Sequence, residues 1–201
     1  PPAIEEVKAF DLPPNITPGK PVLLFVGRLI REKGIFEILE AITSVNAQIP
    51  CHLIMAGDGP CEQQVKQRIA ELGLGDCVTL AGYLTGARMS GVYHQANVFV
   101  LPTYHIEGFP TVISEAMNVG LPIITTRLRG AADHLIEGVN ALFVPPRDPV
   151  VLAKTVIELL SNSDLRSRMG LANKEKIKDF APDVVGRQYL NVLHDVIKRK
   201  N

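Results

Sequence analysis

Two stretches of the chain place charged side chains where they can hold an anion and a polyol. The first is Gly27-Arg28-Leu29-Ile30-Arg31-Glu32-Lys33-Gly34. It follows a short apolar run and opens a helix, so free N–H groups and the positive end of the helix dipole favour negative charge there. Arg28 offers a forked guanidinium and Lys33 a point-like ammonium, and both suit phosphate oxygens. The same spacing also suits a solvated turn in which Arg31, Glu32 and Lys33 pair with one another. The second stretch runs from Glu107 to Glu115, two carboxylates with seven residues between them. Pro110 suits a first helical turn, which leaves Glu107 in the loop ahead of it. With Val112, Ile113, Ala116 and Met117 on the buried stripe, Thr111, Glu115 and Asn118 share another face. The N–H groups of the Gly108–Thr111 segment, Phe109 among them, then lie beside Glu107. Both carboxylates can accept hydrogen bonds from hydroxyls, for which sugars are natural donors. Taken alone, the pair fits an acidic first turn and a surface glutamate equally well.

Other motifs point away from familiar chemistries. Gly57-Asp58-Gly59-Pro60 has the start of a dinucleotide fingerprint, but Glu62 stands where the third glycine belongs and the loop follows the second strand. Pro60 at a first helical position gives that loop a structural reason. A nicotinamide or flavin site is therefore disfavoured. The five histidines have no metal-ligand spacing, and no G-x-S-x-G elbow or Walker A sequence occurs. His52 alternates within a strand and reads as a satisfied core or edge residue; His105 falls on a loop beside Glu107. The three cysteines, Cys51, Cys61 and Cys77, are odd in number and form no C-x-x-C pair. They read as reduced, mostly buried thiols of a cytosolic protein.

The elements that must position these residues alternate. Apolar runs at Pro21–Val26, His52–Ala56, Cys77–Ala81, Val98–Leu101, Pro122–Thr126 and Ala141–Val144 predict strands buried on both faces. Helical spacing covers Gly34–Ala47, Pro60–Leu72, Arg88–Gln95, Pro110–Val119 and Ala131–Ile136 between them. Pro149–Leu160, Leu165–Asp179 and Pro182–Lys198 follow as a helical tail. This is the pattern of a Rossmann-like, doubly wound, mainly parallel α/β sheet over residues 21–201. Residues 1–20 hold five prolines and predict an extended segment or linker. In such a sheet ligands bind beyond the carboxyl ends of the strands. The loops opened by Gly27, Gly57, Gly82, Pro102 and Arg127 all fall on that rim.

Composition narrows the remaining classes. The chain has 201 residues, 46% of them hydrophobic and 21% charged, enough for one good-sized core and too apolar for a disordered chain. No apolar run approaches the ~18 residues of a membrane span. Lys and Arg (21) balance Asp and Glu (21), which argues against a nucleic-acid partner recruited by bulk charge. Only the Lys198-Arg199-Lys200 tip departs from balance, as a solvated terminus does. No apolar leader marks the first 20 residues, and a start at Pro1-Pro2 suggests a piece of something longer or a processed end.

Together, Gly27 to Gly34, the run Glu107-Gly108-Phe109-Pro110-Thr111-Val112-Ile113-Ser114-Glu115-Ala116-Met117 and Gly120-Leu121-Pro122 resemble the donor-binding, C-terminal half of a GT-B glycosyltransferase. The likeness is to the retaining group 1 family (GT4) in particular and runs from about residue 20 to 196. It implies that Arg28 and Lys33, beside Gly27, hold the diphosphate of a UDP- or GDP-sugar. Glu107 would contact the transferred hexosyl group, with Gly108, Phe109, Pro110 and Thr111 lining the sugar and diphosphate. Glu115 would accept from the ribose hydroxyls, Tyr83 and Leu84 would border the base, and Gly57 would lie on the same rim. Glu107, Arg28 and Lys33 would be the catalytic set. No permanently bound cofactor and no metal is implied, the two cations taking a metal's place at the leaving group. The acceptor, a glycan or lipid-linked glycan, would sit on an N-terminal domain that this chain does not contain, so the chain alone should bind donor and transfer little. Polysaccharide biosynthesis in the cytoplasm, with peripheral association at the inner face of a membrane, follows by analogy. The chain departs from the family pattern at Arg129-Gly130-Ala131-Ala132-Asp133 and at Asn140-Ala141, near the donor sugar. A non-catalytic nucleotide-binding module of the same fold is the alternative reading.

Overall fold

Residues 19–187 and 189–190 are described by the structure, a computed structural model. Its strands are short aliphatic runs without polar alternation, the composition of strands covered on both faces. β1 (Val22–Val26), β2 (His52–Ala56), β4 (Val98–Leu101) and β5 (Ile123–Thr126) are buried along their whole length. β3 (Val78–Gly82) and β6 (Ala141–Val144) form the two edges and keep partly exposed positions. All pairings are parallel, in the order β3-β2-β1-β4-β5-β6. The chain thus winds outward from β1 to β3, returns past β1 to β4, and winds outward again to β6. The reversal falls between β1 and β4, the neighbouring strands whose connections diverge, and it is beyond the carboxyl ends of such strands that open α/β sheets bind ligands.

The helices are α1 (Ile35–Asn46), α2 (Glu62–Glu71), α3 (Gly86–Gln95), α4 (Thr111–Val119), α5 (Arg129–His134), α6 (Pro149–Ser161) and α7 (Ser163–Lys176). α1 packs against α2 and α6 on one side of the sheet, and α4 packs against α3 and α7 on the other. α1 turns Ile35, Ile38, Leu39, Ile42 and Val45 inward, the stripe its spacing predicts. α6 starts at Pro149 behind an Asp148 cap, whose carboxylate accepts from the Val150 and Val151 amides at 3.1 and 2.9 Å. α7 then crosses back. Its Gly170 lies against the Gly120 carbonyl, where a Cβ would overlap it, and its buried Asn173 donates to the carbonyls of Leu121 (2.7 Å) and Asn140 (3.0 Å). The tail is thereby fastened to the loops that lead into β5 and β6.

Six strands and the sequence of helices match the expectations, with differences at the element ends: α3 begins at Gly86 rather than Arg88, and Pro110 is the N-cap of α4 rather than part of its first turn. Pro60 is not in the first turn of α2. The helix begins at Glu62, because the preceding loop is tied to Leu29 through Leu29 N to Asp58 O (2.6 Å) and Cys61 N to Leu29 O (3.0 Å). α5 begins at Arg129 rather than Ala131, tertiary contact at Gly130 overriding the poor helix propensity of glycine. The expected helix Leu165–Asp179 starts earlier, on an Asn162 cap, and tightens into a 3-10 turn over Ile177–Phe180. The leading segment, except residues 19 and 20, lies outside the described residues, as do the last part of the helix expected to begin at Pro182 and the basic tip. Residues 182–187 are helical.

Candidate functional site

The β1–α1 turn and the β4–α4 loop meet at the topological reversal. After Gly27 and the exposed Arg28, Arg31–Lys33 forms one 3-10 turn that ends at Gly34. Gly34 has φ +75°, and a Cβ there would overlap the Pro102 carbonyl and sit 2.8 Å from Pro102 Cγ. Only glycine lets the turn lie this close to the end of β4. The Glu32 carbonyl then accepts from Tyr104 N (2.8 Å), His105 N (3.1 Å) and Thr103 Oγ1 (3.1 Å), which stitches the two loops together. Across that seam Lys33 Nζ donates to Glu107 Oε1 in an ion pair whose side chains are 12% and 27% exposed. The sequence left open whether Lys33 pairs within its own turn. It does not; its partner is 74 residues away.

Glu107 precedes α4 in a loop that ends at Pro110, the N-cap residue with extended φ/ψ of −64° and 127°. The amides of Gly108, Phe109 and Thr111 have no protein acceptor among the described residues and lie at the positive end of α4. Glu115 is one turn further into the helix and half-buried. Its Oε2 accepts from the hydroxyl of Tyr93 on α3 at 2.8 Å, and the same hydroxyl lies 3.2 Å from the Val112 carbonyl. Tyr93 is 1% exposed and stacks on Phe99 of β4 with centroids 6.1 Å apart. Burial and, after it, the Glu115 carboxylate push its phenol well above the ordinary tyrosine range, so it stays a donor.

Other expected residues fall as follows. Tyr83 is 72% exposed on the loop after β3, whereas the Leu84 side chain belongs to the core, which leaves only its backbone to face the rim. Gly57, at φ +138°, has a packing reason of its own: a Cβ would overlap the Gly27 carbonyl. It holds the β2–α2 loop against the first residue of the cationic turn. Among the described residues Arg28 has no carboxylate partner. His52 is buried with Nε2 2.8 Å from Thr79 Oγ1, and His105 is exposed. All three cysteines are free thiols, Cys51 buried and the other two half-buried. No three His, Cys, Asp or Glu side chains gather as a metal-binding group among the described residues.

The loop that carries Glu107 is buttressed by Thr125, Thr126, His134 and Phe180, which the site motifs do not mark, and by Gly130. Thr125 Oγ1 donates to the Leu101 carbonyl at 2.8 Å, and Thr126 Oγ1 donates to the Thr103 carbonyl. Phe109 stacks on Phe180 of the 3-10 turn after α7 (5.0 Å, 12°), with His134 edge-on to both rings. Gly130 backs directly onto the loop, where a Cβ would be 2.5 Å from Gly108 C and 2.7 Å from Phe109 Cα. Two adjacent threonines at the carboxyl end of a buried strand were a legible signal. The aromatic trio was not, since its members are 25 and 46 residues apart.

A doubly wound parallel sheet with paired loops at its reversal is the architecture of one Rossmann-like unit of GT-B glycosyltransferase structures. The chain is similar in structure to the glycosyltransferase from Rickettsia africae, with a TM-score of 0.80 over 92% of this chain and 50% of that one, at 19% identity. A second likeness is to Anabaena HepE solved with UDP, TM-score 0.77 over 88% and 49% of the chains, at 23% identity. By sequence, the chain belongs to the family of group 1 glycosyl transferases, whose model matches residues 8–176. It is 30% identical over 176 residues to the 2-deoxystreptamine N-acetyl-D-glucosaminyltransferase of Niallia circulans, covering 87% of this chain and 45% of that protein. The chain spans about half the length of the curated relatives it matches. No helix among the described residues is long and apolar enough to cross a membrane.

Proposed function

We propose that this chain is the donor-binding domain of a retaining hexosyltransferase that takes its sugar from a UDP- or GDP-linked donor. The observation that carries the reading is the Lys33–Glu107 ion pair, which joins the cationic β1–α1 turn to the acidic loop at the start of α4. Lys33 has three N–H donors and Glu107 takes one, so the others are available to the oxygens of a diphosphate beside it. Arg28 adds a second cation from the same turn. The unpaired amides of Gly108, Phe109 and Thr111 add neutral donors and the helix dipole. Glu107 then stands where a sugar joined to that diphosphate can donate hydroxyl hydrogen bonds to it, and Glu115 stands a turn away for ribose hydroxyls. Tyr83, exposed on the loop after β3, borders the base.

The chemistry follows from the charges. When the hexosyl group is transferred, the bond from its anomeric carbon to the diphosphate breaks with its electron pair going to the phosphate oxygen, a bond forms from that carbon to the acceptor's hydroxyl oxygen, and the hydroxyl proton passes to the departing diphosphate. Preorganised cations at that oxygen stabilise the developing charge more than they stabilise the ground state, which is what lowers a barrier. In this reading Arg28 and Lys33 do that work in place of a metal. The acceptor, a glycan or lipid-linked glycan, is held by a second Rossmann-like domain, so donor binding by this chain is separable from transfer. That HepE was solved with UDP, and with UDP-glucose, supports a uridine donor as the first to try.

Calorimetric titration with UDP, GDP, UDP-sugars, GDP-mannose and NAD tests the reading. Binding of at least one nucleoside diphosphate and its sugar conjugate is expected. Binding of NAD with no response to any sugar nucleotide would overturn it.

A further inference from the structure

The carboxylate of Glu115 is held from behind. Among the described residues its one hydrogen-bond partner is the Tyr93 hydroxyl, 2.8 Å from Oε2, while Oε1 has none and is not sealed from solvent. Tyr93 is itself fixed: it is 1% exposed and its ring stacks on Phe99 of β4, while the Val112 carbonyl, 3.2 Å from the hydroxyl, is a weaker competing acceptor for its one hydrogen. A glutamate on a helix surface otherwise samples several rotamers, and ordering it costs entropy each time a ligand needs it. A phenol has one hydrogen to give, so the bond to Oε2 also fixes which oxygen faces outward.

We infer that Tyr93 is a positioning residue for nucleotide binding, holding Glu115 with Oε1 turned toward the two ribose hydroxyls of the donor. The inference rests on the donor-site reading above. Tyr93 touches no ligand. It acts through Glu115, by pre-paying the order of that side chain and by presenting one oxygen with its lone pairs open. Its hydroxyl, not its ring, carries the role, because the ring would fill the core equally well as phenylalanine.

The test is Tyr93→Phe in the 201-residue chain, titrated with UDP and GDP and with their 2′,3′-dideoxy analogues. The variant keeps the ring and its stacking, so its melting temperature should stay near the parent's. Affinity for the ribonucleotide that binds the parent should fall roughly ten-fold, the scale of one hydrogen bond. The dideoxy analogue should bind parent and variant alike. Added to Glu115→Gln, Tyr93→Phe should cost little more, since the two residues act as one unit. Equal losses for ribo- and dideoxynucleotides would reduce Tyr93 to a structural residue, and parent-like binding of the ribonucleotide by Tyr93→Phe would dismiss the inference outright. Lys33→Ala separates this from the site reading. If Lys33→Ala loses affinity while Tyr93→Phe does not, the site stands and the role of Tyr93 falls; if the parent binds no nucleoside diphosphate, both fall.

Discussion

Lys33 carries two obligations at once, and the balance between them sets what its removal should cost. It neutralises a half-buried carboxylate, Glu107, and in the proposed complex it also faces a diphosphate. Lys33→Ala deletes the cation and leaves Glu107 turned toward the phosphates without a counter-charge, so the loss contains a repulsion as well as a missing bond. Nucleoside diphosphate binding should weaken by about 1.5–3 kcal/mol, measured by calorimetry. Adding Glu107→Ala to Lys33→Ala should return part of that loss, and no recovery in the double variant would mean the two side chains are not coupled at the ligand. Glu115→Ala is expected to weaken binding of the bare nucleoside diphosphate, whereas Glu107→Ala should tell mainly when a sugar is attached. If both variants hold UDP or GDP as the parent does, Glu115 is misplaced in this reading.

At the scale of elements, the site depends on how closely loops approach one another. Gly34 lets the cationic turn touch the end of β4, Gly57 lets the next loop touch Gly27, and Gly130 lets α5 touch the Glu107 loop. These contacts are backbone to backbone, so a methyl group cannot be accommodated by a side-chain swing. Gly130→Ala should displace the Gly108–Phe109 segment and cost about 1–3 kcal/mol of stability, with a larger proportional loss in sugar-nucleotide affinity than in bulk unfolding free energy. A melt and a titration on the same sample decide this; a variant that melts early but binds normally would show that α5 does not set the loop. The Phe109–Phe180–His134 cluster ties the same loop to the tail beyond α7, so sequence far from the site takes part in its shape.

For the whole molecule, buried titratable groups give stability a dependence on pH. Burial, with the nearby Cys77 second, pushes the Cys51 thiol from 9.0 up to about 12. The folded chain keeps that proton where the unfolded thiol releases it, so the contribution is complete below about 9 and is lost as pH rises toward 12. Burial, with the Lys20 cation second, lowers the His52 pKa below 6.5. Its contribution has the opposite sense: it is present above 6.5 and is lost as acid protonates the unfolded imidazole first. Melting temperature should therefore be highest between these limits. Cys51→Ala should flatten the alkaline decline, though not abolish it, since burial raises the Cys77 thiol as well. An unchanged alkaline slope in that variant would remove Cys51 from the explanation.

How much of this was legible in the chain follows from the range of each interaction. Strands buried on both faces must be continuously apolar, and helices on a sheet must carry an apolar stripe, so six strands and their intervening helices could be read locally. The carboxyl-end loops followed from alternation, and with them the neighbourhood of Arg28, Lys33, Glu107 and Glu115. Boundaries shifted where a distant contact overrode a local preference, as at Pro60 and Gly130. The sequence by itself determined the doubly wound architecture and which loops form the rim, because both rest on the periodicity of hydrophobic side chains. Only the tertiary structure decided that Lys33 pairs with Glu107 rather than with its own turn, that Tyr93 is the residue behind Glu115, and that Phe180 reaches Phe109. Partner choice among charged, phenolic and aromatic side chains depends on distances between elements, and those exist only once the sheet has closed them together.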